Sequence, residues 1–132
     1  MQPDFTKYSL ALIKNNHIVY SSQESGLRPL WDCLQKYRGA GNNFTLFDKI
    51  IGLAAARLIA DAQIISRIET LLASAPAKKS LQENNILLKA RQIVPNILTK
   101  DRGATCPGEI IALNTADTGE FLAKIEKMLK RQ

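Results

Sequence analysis

Two β-prone runs separated by an Asn-Asn pair open the chain, and helical and strand-like patterns alternate behind them. In residues 8–14, Tyr8, Leu10, Leu12 and Lys14 fall on one side and Ala11 and Ile13 on the other. Asn15 and Asn16 tolerate positive φ, and residues 17–22 are again β-prone, so the spacing predicts an antiparallel hairpin. A hairpin followed by alternating helices and strands restricts the chain to a mixed sheet covered by helices. Short connections after the hairpin favour parallel, right-handed crossovers. The expected fold is a three-layer α/β/α domain over residues 1–132.

Helical periodicity places the remaining elements. Leu27, Leu30, Trp31 and Leu34 predict a first helix with Pro29 in its first turn, Ser25 or Gly26 as cap and Gly39 as stop. Residues 39–45 read as a loop. A second helix is expected from about Phe47, because Phe47, Ile50, Ile51, Ala54, Ala55, Leu58, Ile59 and Ala62 follow the i, i+3, i+4, i+7 template. Gly52 then lies inside that helix at a cost of about 1 kcal/mol relative to Ala. Residues 67–72 predict a strand, 74–85 a short helix, and 86–89 another strand. Residues 94–98 read as a turn of helix, 100–105 as a loop, and 107–113 as a short helix. The pattern at 118–131 predicts a closing amphipathic helix that buries Phe121, Leu122, Ile125, Met128 and Leu129.

Composition excludes whole classes. Hydrophobic residues at 45% and charged residues at 23% match a globular domain and exclude a disordered or fibrous chain. The apolar run from Ile50 to Ala56 is stopped by Arg57, far short of the roughly 18 to 20 residues a membrane span needs. The start Met1-Gln2-Pro3-Asp4 lacks the features of a signal peptide, and two distant cysteines, Cys33 and Cys106, suit a reduced compartment. A cytoplasmic protein with no membrane partner is expected. The net charge of +6 is spread along the chain except at Lys124, Lys127, Lys130 and Arg131, and aromatics are 6%, which ranks nucleic-acid binding low. An edge strand leaves room for self-association.

The segment 102–109 carries the richest chemistry. Pro107 at a first helical position puts Cys106 at the helix mouth, where unpaired N–H groups and the dipole favour a thiolate. Arg102 adds positive charge if the loop folds back, and Glu109 is placed to reach the cap N–H as in a capping box. The plain alternative is a packed cysteine beside a capping glutamate. Arg28 at the start of the first helix is a candidate anion seat or, equally simply, a solvated side chain. Asp48 and Lys49 fall on the first turn of the expected second helix, where the dipole alone accounts for the aspartate. His17, the lone histidine, belongs to the hairpin, and Cys33 flanks an apolar stripe as a core residue. A Ser–His or Cys–His triad is therefore not expected.

The strings Gly26-Leu27-Arg28-Pro29-Leu30, Asp48-Lys49-Ile50-Ile51-Gly52-Leu53-Ala54-Ala55-Ala56, Val94-Pro95 and Cys106-Pro107-Gly108-Glu109 together resemble a bacterial family of unassigned function. Its members are similar in fold to cytidine deaminases. That resemblance implies a deaminase-like mixed sheet and a cleft where Asp48, Lys49, Cys106 and Glu109 converge, with Arg28 near the rim. Deaminases hold zinc through His (or Cys)-x-Glu and Pro-Cys-x-x-Cys, and the metal activates water. Here the first position lacks His, Cys and Glu ligands, and Glu109 stands where the second cysteine of the later motif belongs. A catalytic zinc needs about three protein ligands, so no metal and no cofactor are expected. The leading expectation is a small-molecule-binding protein for an anionic or nucleotide-like ligand. The alternatives are an enzyme using Cys106 as nucleophile or redox centre, and a basic interaction or RNA-binding module.

Overall fold

The computed structural model describes residues 1–97 and 106–131. The expected loop at 100–105, including Arg102, lies outside the described residues. Strands β1 (Leu10–Lys14) and β2 (His17–Ser22) form the expected hairpin. Asn15 at φ 51° and Asn16 at φ 62° supply the left-handed pair that a tight hairpin turn requires. Helix α1 (Arg28–Tyr37) follows, capped by Leu27 rather than by Ser25 or Gly26. Gly26, at φ 87°, instead turns the chain into the helix.

The expected second helix is the main correction. Residues 44–51 form strand β3 (Phe44–Ile51), and α2 (Leu53–Ala62) begins only after Gly52. Asp48 and Lys49 therefore sit in a strand, not on a helical turn. The cause is burial on both faces. Phe44 and Leu46 enter the main core, Phe47 packs on the other side, and Ile51 is buried again while Ile50 stays 50% exposed. The resulting Phe47, Ile50, Ile51 spacing imitates a helical stripe.

The chain continues through β4 (Ile65–Ser74), α3 (Ala75–Glu83) and β5 (Leu87–Val94). The Ser74 hydroxyl accepts from the Ala77 N–H at 3.2 Å to cap α3, and Asn85 at φ 58° reverses the chain after it. β5 extends to Val94, so the helical turn expected at 94–98 is absent from its described part, 94–97. Helices α4 (Pro107–Asn114) and α5 (Thr118–Lys130) complete the described elements.

The sheet order is β2-β1-β3-β4-β5. β1 runs antiparallel to β2 and β3, whereas β3, β4 and β5 are parallel, joined by α2 and α3 as crossovers. This is a mixed α/β fold. Buried side chains of all five described helices join Leu10, Leu12, Leu46 and Ile68 in one core. The smaller cluster across the sheet, Tyr8, Ala11, Ile13 and Phe47, is covered by Phe5 and includes no helix residue. The helical side of the sheet thus holds nearly all the apolar burial. No helix among the described residues is long and apolar enough to cross a membrane.

Arg57 of α2 holds the last two helices in place. Its guanidinium donates to the carbonyls of Ala112 (2.9 Å), Thr115 (2.5 Å) and Ala116 (3.1 Å), closing the end of α4, and lies 4.1 Å over the Phe121 ring. Arg57→Met keeps the apolar stem but strands these carbonyls. It is expected to lower stability by about 2 kcal/mol, measured as a lower urea midpoint at unchanged slope.

Candidate functional site

β3 delivers Asp48 and Lys49 to the end of the sheet where helices begin. Gly52 is the N-cap of α2, Leu27 that of α1 and Cys106 that of α4. These three starts surround a cavity of about 410 Å³, within the range of small-molecule sites. Most of its wall is apolar, including Leu10, Leu30, Ile50, Ala55, Ile97 and Met128. Its polar wall includes Ser9, Glu24, Asp48, Lys49, Cys106 and Glu109. A smaller hollow of about 250 Å³, lined by Asn42, Asn43, Gln63, Asn84 and Asn85 among others, involves none of the candidate residues.

Not every polar group at the cavity is open to a ligand. The Glu109 carboxylate accepts from the Leu53 N–H at 2.8 Å and the Ala54 N–H at 2.7 Å, so it caps α2. It does not reach back to its own helix, because the Cys106 N–H donates to the Ile97 carbonyl at 3.2 Å. Glu109 is 5% exposed. A Cβ added at Gly52 would lie 2.5–2.8 Å from that carboxylate, which explains why a residue without a side chain stands there. Gly52 adopts φ −94°, ψ −176°, an extended conformation open to any residue, so space rather than torsion demands glycine. The Ser9 hydroxyl is engaged by the carbonyls of Ser22 and Glu24.

Arg28 is turned away from the cavity. Its guanidinium donates to the Leu129 carbonyl and ties α1 to the end of α5, so it is neither the expected anion seat nor a free solvated side chain. His17 is exposed in the hairpin, and Cys33 is fully buried in α1. Burial, reinforced by Asp48, pushes the Cys33 thiol up to about 12. Asp48, Lys49, Cys106 and Glu109 do meet around one cavity, as the resemblance implied, with Glu109 engaged by α2. Sequence reading missed Arg57, Ser9 and Met128. Gly52 between two apolar residues was the signal for a boundary at that point.

Asp48 is the most perturbed group at the site. Burial raises its carboxyl from an ordinary 3.8 to about 8, against the pull of the Ile50 and Lys49 backbone N–H groups. At neutral pH it is mainly protonated and can donate a hydrogen bond. Metal binding is a poor fit. Glu109 is engaged by α2 and Asp48 takes the Lys49 and Ile50 backbone N–H groups, and no group of three potential ligands assembles among the described residues.

A mixed five-stranded sheet with three helix starts around one hollow defines an α/β domain with a single-cavity candidate site. The chain belongs to the DUF1893 family, also described as TM1506, a domain of unknown function whose model matches residues 4–129. It is similar to a DUF1893 family protein from Thermotoga maritima, whose crystal structure was determined at 2.70 Å resolution. That likeness has a TM-score of 0.82 at 23% identity over 93% of this chain and 82% of the other, and it establishes the fold. A search of curated proteins gives no match.

Two predictions follow from the geometry. Glu109→Gln places an amide N–H₂ against one α2 donor and is expected to cost about 2 kcal/mol, while Gly52→Ala costs a similar amount through its clash. With Glu109→Ala the Gly52→Ala penalty should largely vanish, giving a double-mutant cycle coupled by more than about 1 kcal/mol. Asp48 sets a pH dependence. Between about pH 4 and 8 only the folded state holds its proton, so its contribution to stability declines as pH rises through that window. Asp48→Asn removes this slope. Its stability relative to the unsubstituted protein should rise by at least about 1 kcal/mol from pH 5 to pH 9 in denaturant titrations.

Proposed function

We propose that the chain is a small-molecule-binding protein whose anionic or nucleotide-like ligand occupies the cavity at the starts of α1, α2 and α4, without zinc-dependent deaminase chemistry. The observation that carries this reading is a largely apolar cavity of about 410 Å³ whose lining includes the polar residues Asp48, Lys49 and Cys106. Apolar walls with a few placed polar groups are what a small-molecule site requires. The finer kinship with cytidine deaminases belongs to this reading; it is supported by an antiparallel hairpin followed by parallel strands with crossover helices, although the described helices all pack on one side of the sheet. A cytoplasmic setting fits two unpaired cysteines.

Thermal unfolding against nucleosides, nucleotides and phosphorylated metabolites tests the proposal. A ligand at a hundred times its Kd stabilises by about 2.7 kcal/mol, which raises Tm by several degrees. Ala55→Leu, which fills the cavity from the α2 wall, should abolish that shift. No stabilisation by any anionic compound would count against the reading. A second reading, in which Cys106 is a nucleophile, draws on the half-buried position of this residue at the cavity. Iodoacetamide labelling as a function of pH separates the two, since only a thiol with a lowered midpoint suits catalysis.

A further inference from the structure

The sheet ends in β2 on one side and β5 on the other, and the two edges are built differently. β2 is blunted. Its register against β1 slips between Leu12 and Ile13, and the Val19 carbonyl accepts the Tyr37 hydroxyl at 2.7 Å. Irregularity of this kind protects an edge from strand addition. β5 has neither device. Its eight residues run in constant register with β4, include no proline, and have no described strand on their outer side. Beyond Val94 the described chain turns to Ile97 at the cavity, where the Cys106 N–H meets the Ile97 carbonyl, so it does not run back along the edge. Leu88 and Ala90 pack toward the helices, whereas Leu87 is 71% and Ile93 42% exposed.

This edge is cationic. Lys89 and Arg91 are exposed on β5, Arg67 on β4, and Lys78 and Lys79 on α3, which packs against β5. The acids of these three elements are Glu69 and Glu83. Glu69 is already bridged by Arg67 at 3.5 Å and Lys89 at 3.8 Å. We propose that β5 is a docking edge for an extended acidic segment of a partner protein, which joins the sheet as a further strand and sets its carboxylates against Lys89 and Arg91. The open backbone groups of an edge pair with a peptide main chain, and the cations select acidic side chains. Exposed Leu87 and Ile93 add apolar contact near the two ends of the strand. A second copy of the chain fits less well. Laid antiparallel along the edge, it would bring Lys89 and Arg91 against their counterparts, and like charges across a ladder destabilise it. The surface is separate from the cavity and does not depend on the cavity's being a ligand site.

Fluorescence anisotropy tests this with the full chain and the labelled peptide Thr-Val-Glu-Ile-Glu-Val-Thr, the same peptide with Lys for Glu, and an oligouridylate. The acidic peptide should bind at least about tenfold more tightly than the lysine peptide or the RNA. N-methylation of its central amides should weaken it by a similar factor, because strand addition uses main-chain donors. Lys89→Gln combined with Arg91→Gln should lower the affinity at least about tenfold, and Lys89→Arg combined with Arg91→Lys should retain it, which separates lost charge from lost folding. Equal binding of the acidic and lysine peptides overturns the charge selection and with it the proposal. Undiminished binding of the methylated peptide overturns strand addition. Tighter binding of the RNA assigns the basic surface to nucleic acid, and a concentration-dependent dimer that competes with the peptide assigns the edge to a second copy; either result overturns the proposal. So does the absence of peptide binding at about 1 mM.

Discussion

A single carboxylate, that of Glu109, joins two parts of the molecule that the sequence separates by more than 50 residues. Its two oxygens take the Leu53 and Ala54 N–H groups, and it can approach them because Gly52 has no side chain. A helix start buried without partners would leave donors unpaired at a cost of about 1–3 kcal/mol each. The carboxylate removes that cost for α2 and fixes the start of α4 against it. The gap between the two helices, and so one wall of the cavity, is set by a hydrogen-bond length. Arg57 makes a comparable contact at the other end of α4, accepted by the carbonyls that the helix leaves open. The helix is thus held at both ends by α2.

The hairpin, α1, the end of α2, α3 and α5 were legible because local rules decide them. Asn15-Asn16 turns the hairpin and Pro29 opens α1, and each answers to its own neighbours in sequence. β3 was not legible for the opposite reason. A strand buried on both faces loses its two-residue alternation, and Phe47, Ile50 and Ile51 then read as three positions of a helix. The error moved Asp48 and Lys49 onto the wrong element but left them beside the same cavity, since the end of β3 leads straight into α2. Cys106 and Glu109 were placed correctly at the start of α4 because Pro107 marks a first helical position so strongly.

What Glu109 does was hidden for a different reason. A capping box is a local motif, and within the sequence its only visible partner is the N–H of Cys106. The chosen partner lies on α2 and becomes visible only when the sheet brings the two helix starts together. Arg28 repeats the pattern. It was read as either an anion seat or a solvated side chain, and instead it closes the last turn of α5 through the Leu129 carbonyl. In both cases a charged residue near a helix end serves a helix other than its own.

This use of internal charges decides the electrostatics of the cavity. Three helix starts in one place would ordinarily make a strong anion seat. Here the dipole of α2 is matched by Glu109, the guanidinium of Arg28 by a carbonyl, and the Asp48 carboxyl is mainly neutral at pH 7. Each neutralisation weakens the field inside the hollow, whose wall is mostly apolar. The capping that makes the fold rigid is therefore the same feature that sets the polarity of the hollow it encloses.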